Sequence, residues 1–213
     1  MNRALVSFGV DAFAELLEIS RPGFTEYADR HGYELHTRPP SMLLRPPSWH
    51  KITSLLDILD DYDEALWIDC DCVIVNPDQD IADEIPAEAW HAITRHHTPE
   101  GEVPSVGVWY LRQPMQPVLE AVWRLTRYTN HRWWEQAAVQ QLLGYTPEHL
   151  PVRQEKTTDL SERTHWLGTE WNALALPGFE VERDARIVHC APGHPVHRRA
   201  DLMEQLAAAP KGA

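Results

Sequence analysis

The sequence predicts an α/β fold: a mixed, mostly parallel sheet with helices packed on its faces. Two observations carry that prediction. The chain opens strand–helix–strand, an order that favours parallel strands joined by a crossover. Its most apolar short run, Ala65-Leu66-Trp67-Ile68, has the unbroken character of a strand buried on both sides.

The elements follow in order. Ala4 to Phe8 reads as the first strand and ends at Gly9. A helical stretch follows, and Pro22 is expected to restart it, because a proline interior to a helix removes a hydrogen bond. Phe24, Tyr27 and Ala28 stand at helical spacing, with Gly32 as the stop. Tyr33 to Thr37 is the second strand. Pro39, Pro40, Pro46 and Pro47 mark a loop. Ile52, Leu55, Leu56 and Leu59 then share one helical face. Ala65 to Asp69 is the central strand, and Ala89 to Thr94 and Val106 to Leu111 are further strands. Helices are expected around Val118, Val122 and Leu125, and around Trp134, Ala138 and Leu142, the latter stopping at Gly144. Thr146 to Glu170 is polar and without clear period, and reads as a loop over a site. Arg186 to Cys190 is a late strand, and Ala200 to Ala208 a terminal helix.

Composition bounds the function. The 213 residues form one expected domain with 43% hydrophobic residues, enough for a core. A net charge of −13 argues against binding nucleic-acid phosphates, which takes clustered Lys and Arg. No run is long and apolar enough to span a bilayer, and no secretory signal is expected from the opening residues. Three cysteines, Cys70, Cys72 and Cys190, cannot all pair, which suits a reducing, cytoplasmic compartment.

The most informative segment is Trp67-Ile68-Asp69-Cys70-Asp71-Cys72-Val73-Ile74-Val75. Asp-x-Asp alone is weak: the chain holds 14 Asp, and three such pairs occur, Asp61/Asp63, Asp69/Asp71 and Asp78/Asp80. Only the second leaves a buried strand directly, and the others read as solvated loops. Ligands of open parallel sheets gather beyond the carboxyl ends of the strands. Two carboxylates there, side by side if the backbone stays extended, suit Mn²⁺ or Mg²⁺, with substrate phosphates completing the shell. In an acidic protein a dication would also relieve repulsion from an anionic diphosphate. The competing readings are a turn cap by the two aspartates, and a zinc site built from Cys70 and Cys72 with His189 and Cys190. Spacing argues against zinc, and alternation directs both thiols toward the core.

At these residues the chain resembles the nucleotide-sugar glycosyltransferases of the GT-A fold. It is most similar to the galactosyl/mannosyltransferase family of the alpha-1,2-galactosyltransferase and alpha-1,6-xylosyltransferase type. It is also similar to the glycogenin and lipopolysaccharide galactosyltransferase family. The matching pieces are Tyr27 to Leu35, Trp49 to Ile52, Leu66 to Asn76, Gly107 to Arg112, Glu135-Gln136, Trp171-Asn172 and Ile187 to His189, in that order. The resemblance implies a Rossmann-like central mixed sheet and transfer of a sugar from a nucleoside-diphosphate donor, with uridine as the family's base and retention of configuration. It implies a saccharide or other hydroxyl acceptor and Mn²⁺ or Mg²⁺.

It also implies roles. Asp69, Asp71 and His189 would hold the metal, with Asp69 able to meet the donor ribose as well. Ser7 and Phe8 would hold base and ribose, and Lys51 would approach the donor. Glu135 and Gln136 would flank the reacting sugar carbon, and Asn172 would contact a sugar. The chain departs from the family in three places. Ser105-Val106-Gly107 replaces the usual Asn-x-Gly at the donor sugar. The late His-x-x-Gly is lengthened to His189 through Gly193. His194 stands where a diphosphate-binding Lys is usual. Trp67, Trp109 and Trp123 are expected in the core, while Trp133-Trp134 and Trp166/Trp171 are candidates for a sugar platform. The departures keep a second function open, a catalytically impaired nucleotide-sugar-binding module. A nucleotidyltransferase is a third, ranked lower because no basic Gly-rich loop follows the first strand.

Overall fold

The structure is a computed structural model that describes residues 2–39, 44–177, 181–190 and 194–209. Its backbone is a six-stranded sheet in the order β2-β1-β3-β6-β5-β7, with β1 Arg3–Val6, β2 Glu34–His36, β3 Glu64–Ile68, β5 His91–Thr98, β6 Gly101–Arg112 and β7 Thr164–Leu167. β1 pairs parallel with β2 and β3, and β5 parallel with β7. β6 is antiparallel to both β3 and β5. Every strand of this sheet except β6 therefore runs the same way, and the carboxyl ends of β1, β3 and β7 open on one side. A smaller sheet of β4 Cys72–Ile74, β9 Ile187–His189 and β8 Ala173–Leu174 stands beside that edge.

Alternation within the strands explains the layers. Ala4, Val6, Ala65, Trp67, Trp109 and Leu111 enter one core cluster, while Leu5, Leu66, Ile68, Val108 and Tyr110 enter the other. Successive side chains of a strand point to opposite faces, so a sheet covered on both sides must be apolar at every position. The first face is covered by α2 His50–Asp61, α3 Gln116–Arg124 and α4 Trp134–Leu142, through residues such as Ile52, Leu55, Leu119 and Ala138. The second is covered by α1 Phe13–His31. Leu16 of α1 also joins Val73, Val188 and Met203, and so seats α6 Val196–Ala208 against β4 and β9.

Three expectations are corrected here. α1 does not restart at Pro22 but continues through it. Buried residues on both sides of the proline, Leu16, Leu17, Ser20, Phe24 and Tyr27, hold the helix as one piece, so packing outweighs the local cost. Gly32 does end it, in the left-handed conformation with φ 73°. Thr146 to Glu170 is not all loop: it contains the short helix α5 Asp159–Glu162 and β7, which extends the sheet edge beside β5. Asp80 is not solvated either; it is buried, pairs with Arg3 and accepts a hydrogen bond from the Tyr33 hydroxyl. Among the described residues no helix is long and apolar enough to cross a membrane.

Candidate active site

Asp69 and Asp71 leave the carboxyl end of β3 in a turn, not in the extended backbone expected from the sequence. The Cys72 N–H donates to the Asp69 carbonyl across that turn at 3.0 Å. Two segments from elsewhere in the chain pin it. The Asp69 N–H donates to the Gly107 carbonyl at 2.7 Å, and the Cys190 N–H donates to the Asp71 carbonyl at 2.9 Å. The aspartates are thus brought together by tertiary hydrogen bonds around a reverse turn.

Each carboxylate has one oxygen held by protein. Asp69 Oδ1 accepts from Trp67 Nε1 at 2.6 Å and pairs with Lys51 Nζ at 2.9 Å. Asp71 Oδ2 accepts from Arg199 Nη1 at 2.8 Å. The other oxygens face His189: Asp71 Oδ1 lies 3.3 Å and Asp69 Oδ2 3.9 Å from its Nε2. The opposite ring nitrogen, Nδ1, is 3.1 Å from the Asn172 side-chain oxygen. Asn172 in turn donates its amide hydrogens to Ser105 Oγ at 3.0 Å and Thr94 Oγ1 at 3.2 Å. With its amide hydrogens turned to Ser105 and Thr94, Asn172 offers its oxygen to the Nδ1 proton of His189, and Nε2 faces the aspartates, donating to Asp71 when the ring is charged and offering a lone pair when it is neutral.

Gly107 makes room for this ring. A Cβ there would lie 2.6 Å from His189 Cε1 and 2.7 Å from Nδ1.

Two carboxylate oxygens and one imidazole nitrogen form a hard-to-borderline donor set of the kind that holds Mn²⁺ or Mg²⁺. The inward oxygen of each aspartate, and His189 Nε2 once the ring is neutral, make these residues fit such an ion. Cys72, weighed from the sequence as a zinc ligand and set aside as a core thiol, also stands beside this set. It pairs with His189 across β4 and β9, and its thiol lies within 4.8 Å of the Asp71 and His189 ligand atoms. Cys70, Cys72 and Cys190 are all free and buried.

The electrostatics follow from this packing. Burial raises the cost of charge on Asp71, but the His189 charge, its hydrogen bond and Arg199 outweigh it and hold the carboxyl below its ordinary value. Burial works equally against charge on His189, yet Asp71 and Asp69 keep it above the usual imidazole range. Lys51 is only 3% exposed. Burial there opposes charge, but Asp69 and Glu135 push its ammonium up to about 12.

Lys51 was expected to approach the donor. Instead its three protons face Asp69, Glu135 Oε1 at 3.2 Å and the Val106 carbonyl at 2.9 Å, so it holds the site together from behind. Glu135 is buried with it at the start of α4; its Oε2 has no partner among the described residues, and burial raises its carboxyl. Gln136 is half-buried, and its side-chain oxygen accepts from the Val106 N–H at 3.3 Å. Asn172, expected to touch a sugar, is wholly buried and serves His189. Ser105 closes the same network and also accepts from the Gly107 N–H at 3.4 Å. Ser7 and Phe8 follow β1 but are buried; the Ser7 hydroxyl has no partner among the described residues, and Phe8 stands edge-on to Trp67 at 5.3 Å. His194, expected at a diphosphate, shares a hydrogen bond with the Ala175 carbonyl at 3.0 Å. Gly193 lies outside the described residues.

Of the expected platform tryptophans, Trp171 is fully buried and donates to Glu84, and Trp133 and Trp166 pack against the core. Trp134 is 45% exposed, at a positive φ of 43°, directly before Glu135. Arg199 is the site residue the sequence reading missed.

The whole arrangement has the fold of the GT-A glycosyltransferases. A glycosyltransferase involved in glycosylation of the major capsid of PBCV-1 superposes with a TM-score of 0.72 at 17% identity, over 96% of this chain and 100% of that one. Galactosyltransferase LgtC, solved with donor and acceptor sugar analogs, gives 0.61 at 9% identity, over 98% of each chain. Mouse xyloside xylosyltransferase 1 gives 0.54 at 12%, over 92% of this chain and 99% of that one. In sequence, residues 12–100 match the galactosyl transferase GMA12/MNN10 family, a stretch that carries Lys51, Asp69 and Asp71 but covers less than half of the chain. No curated protein sequence matches it.

Proposed function

We propose that the protein is a metal-dependent glycosyltransferase that moves a sugar from a nucleoside diphosphate, a UDP-sugar, to an acceptor hydroxyl with retention of configuration. One observation carries this: one oxygen from each of Asp69 and Asp71 converges on Nε2 of His189, at the carboxyl edge of a GT-A sheet. The family match over residues 12–100 supports the same reading.

Asp69, Asp71 and His189 would hold a divalent ion, which would supply positive charge for the departing diphosphate. The chain's own residues do the rest. Lys51 and Arg199 fix the outer oxygens of the two aspartates, and Asn172 fixes the ring of His189, so the ligands need not reorganise as charge develops. Ser7 and Phe8 lie at the end of β1 on the same edge, where base and ribose would be held. Gln136, half-buried at the start of α4, is the side chain offered to the reacting sugar. Glu135 acts through Lys51, because burial removes it from direct attack. Trp134 offers an exposed aromatic face for the acceptor.

The reading is tested by UDP release from a panel of UDP-sugars with Mn²⁺ and a saccharide acceptor. Asp71→Asn and Asp69→Asn are expected to lower release by at least a hundredfold and to remove the Mn²⁺-dependent rise in melting temperature given by UDP. Full turnover in a chelator removes the metal from this proposal. Binding of UDP-sugar without any release replaces it with a binding module.

A further inference from the structure

Arg199 holds Asp71 from a distant element of the fold. The guanidinium comes from α6, 128 residues beyond Asp71 in the chain, and takes one of the two oxygens of the more buried aspartate. It is held from two other sides. Its Nε donates to the His194 carbonyl at 2.8 Å, and its guanidinium carbon lies 5.6 Å from the centre of the Phe13 ring on α1. α6 itself is seated through Met203 beside Leu16, Val73 and Val188. Arg199 is therefore a fixed cation aimed at a metal-site carboxylate, not a surface residue that happens to reach it.

We propose that Arg199 is a positioning residue that restricts Asp71 to a single coordinating oxygen and weakens cation binding until the donor diphosphate is present. This rests on the metal-dependent reading above. With Oδ2 held by Arg199, only Oδ1 is turned toward His189 Nε2. A carboxylate free of that contact could chelate with both oxygens, and a nearby unit positive charge opposes a dication directly. Lys51 treats Asp69 in the same way through its Oδ1. The two aspartates are thus presented as singly coordinating ligands, each with a cation behind it. The site then carries less negative charge than its sequence suggests, and an anionic diphosphate adds what the protein withholds. Cation and donor should accordingly bind together better than either alone, which is a coupling between two ligands of one site.

The sign of the effect separates this from a structural role. Mn²⁺ affinity of the donor-free protein is read by the loss of the free-ion electron paramagnetic resonance signal, with and without UDP. Arg199→Gln, and Arg199→Met as a second neutral variant that keeps the aliphatic stem beside Phe13, are expected to bind Mn²⁺ roughly tenfold more tightly than the parent without UDP. The enhancement of Mn²⁺ binding by UDP should shrink in both. Arg199→Lys, which keeps the charge, should stay within about threefold of the parent. A purely structural arginine would give weaker Mn²⁺ binding on removal, because Asp71 would lose its orientation. Unchanged or weaker binding in a neutral variant with a parent-like melting curve overturns the proposal and leaves the transferase reading standing. If parent and both neutral variants bind no Mn²⁺, the metal-dependent reading falls as well.

Discussion

His189 Nδ1 and the side-chain oxygen of Asn172 lie 3.1 Å apart, and Asn172 turns that oxygen to the ring by donating its amide hydrogens to Ser105 and Thr94. The asparagine decides which face of the imidazole meets the aspartates. Partners of this kind commonly change metal affinity by ten- to a hundredfold. Asn172→Ala is expected to weaken Mn²⁺ binding by about tenfold or more, measured by the free-ion signal. Affinity equal to the parent would show that the ring is oriented by packing alone.

Lys51 is a buried cation between two carboxylates, and removing it strands both. Lys51→Met is expected to destabilise the protein by about 3–5 kcal/mol, the usual cost of breaking a buried pair from one side. Adding Glu135→Gln removes one of the stranded charges and should recover a measurable part of that loss. Urea denaturation of the single and double variants gives the comparison. A double variant no more stable than Lys51→Met contradicts the pairing.

Gly107 tolerates no side chain. In Gly107→Ala the new methyl overlaps the His189 ring. The ring must move away from Asp71, so Mn²⁺ binding should be lost while far-ultraviolet circular dichroism stays native-like. Retained Mn²⁺ binding would mean that β9 shifts freely, contrary to its pairing with β4.

Stability should depend on pH through His91. Its Nδ1 accepts from Trp109 Nε1 at 3.0 Å, and its Nε2 shares a hydrogen bond with Thr164 Oγ1 at 2.8 Å. Burial holds this imidazole at about 3, and burial with the nearby His189 holds His96 at about 4. Both titrate near 6.5 once unfolded. Between those values the unfolded chain binds more protons, so stability is full above about 6.5 and falls as the pH drops toward 4. Each histidine contributes a slope of up to about 1.4 kcal/mol per pH unit. Urea midpoints at pH 7.5, 6 and 5 should show the decline, and His91→Asn should flatten it. A slope unaltered by that substitution excludes His91 as its source.

Much of this was legible in the residues themselves. The run Ala65 to Ile68 declared a strand covered on both faces, and the first strand, the helix stop at Gly32 and the helix bearing Ile52 and Leu55 all follow from short-range pattern. Asp69, Asp71 and His189 were expected together because the chain resembles a family in which such residues hold a metal, and their side chains do converge. What stayed hidden depends on partners far along the chain. Pro22 reads as a break until Leu16, Leu17 and Phe24 are seen packed around it. The Thr164-His165-Trp166-Leu167 strand is short and lies at the sheet edge, with too little apolar alternation to show. Lys51 and Asn172 were assigned to the substrate by analogy, but burial turns one toward Glu135 and the other toward His189. Arg199 sits in a run of His197, Arg198 and Arg199 just ahead of the helix expected over Ala200 to Ala208. Nothing local says which of them turns inward.

The ligand cluster draws on residues 69 and 71 from the first third of the chain, 107 from the middle, and 172, 189 and 199 from its last fifth. No contiguous piece shorter than most of the polypeptide contains a complete set. The two aspartates therefore precede in the chain everything that orients them. A polypeptide that had formed only β1, β2 and β3 would carry both carboxylates yet lack the histidine, asparagine and arginine that turn them toward one point.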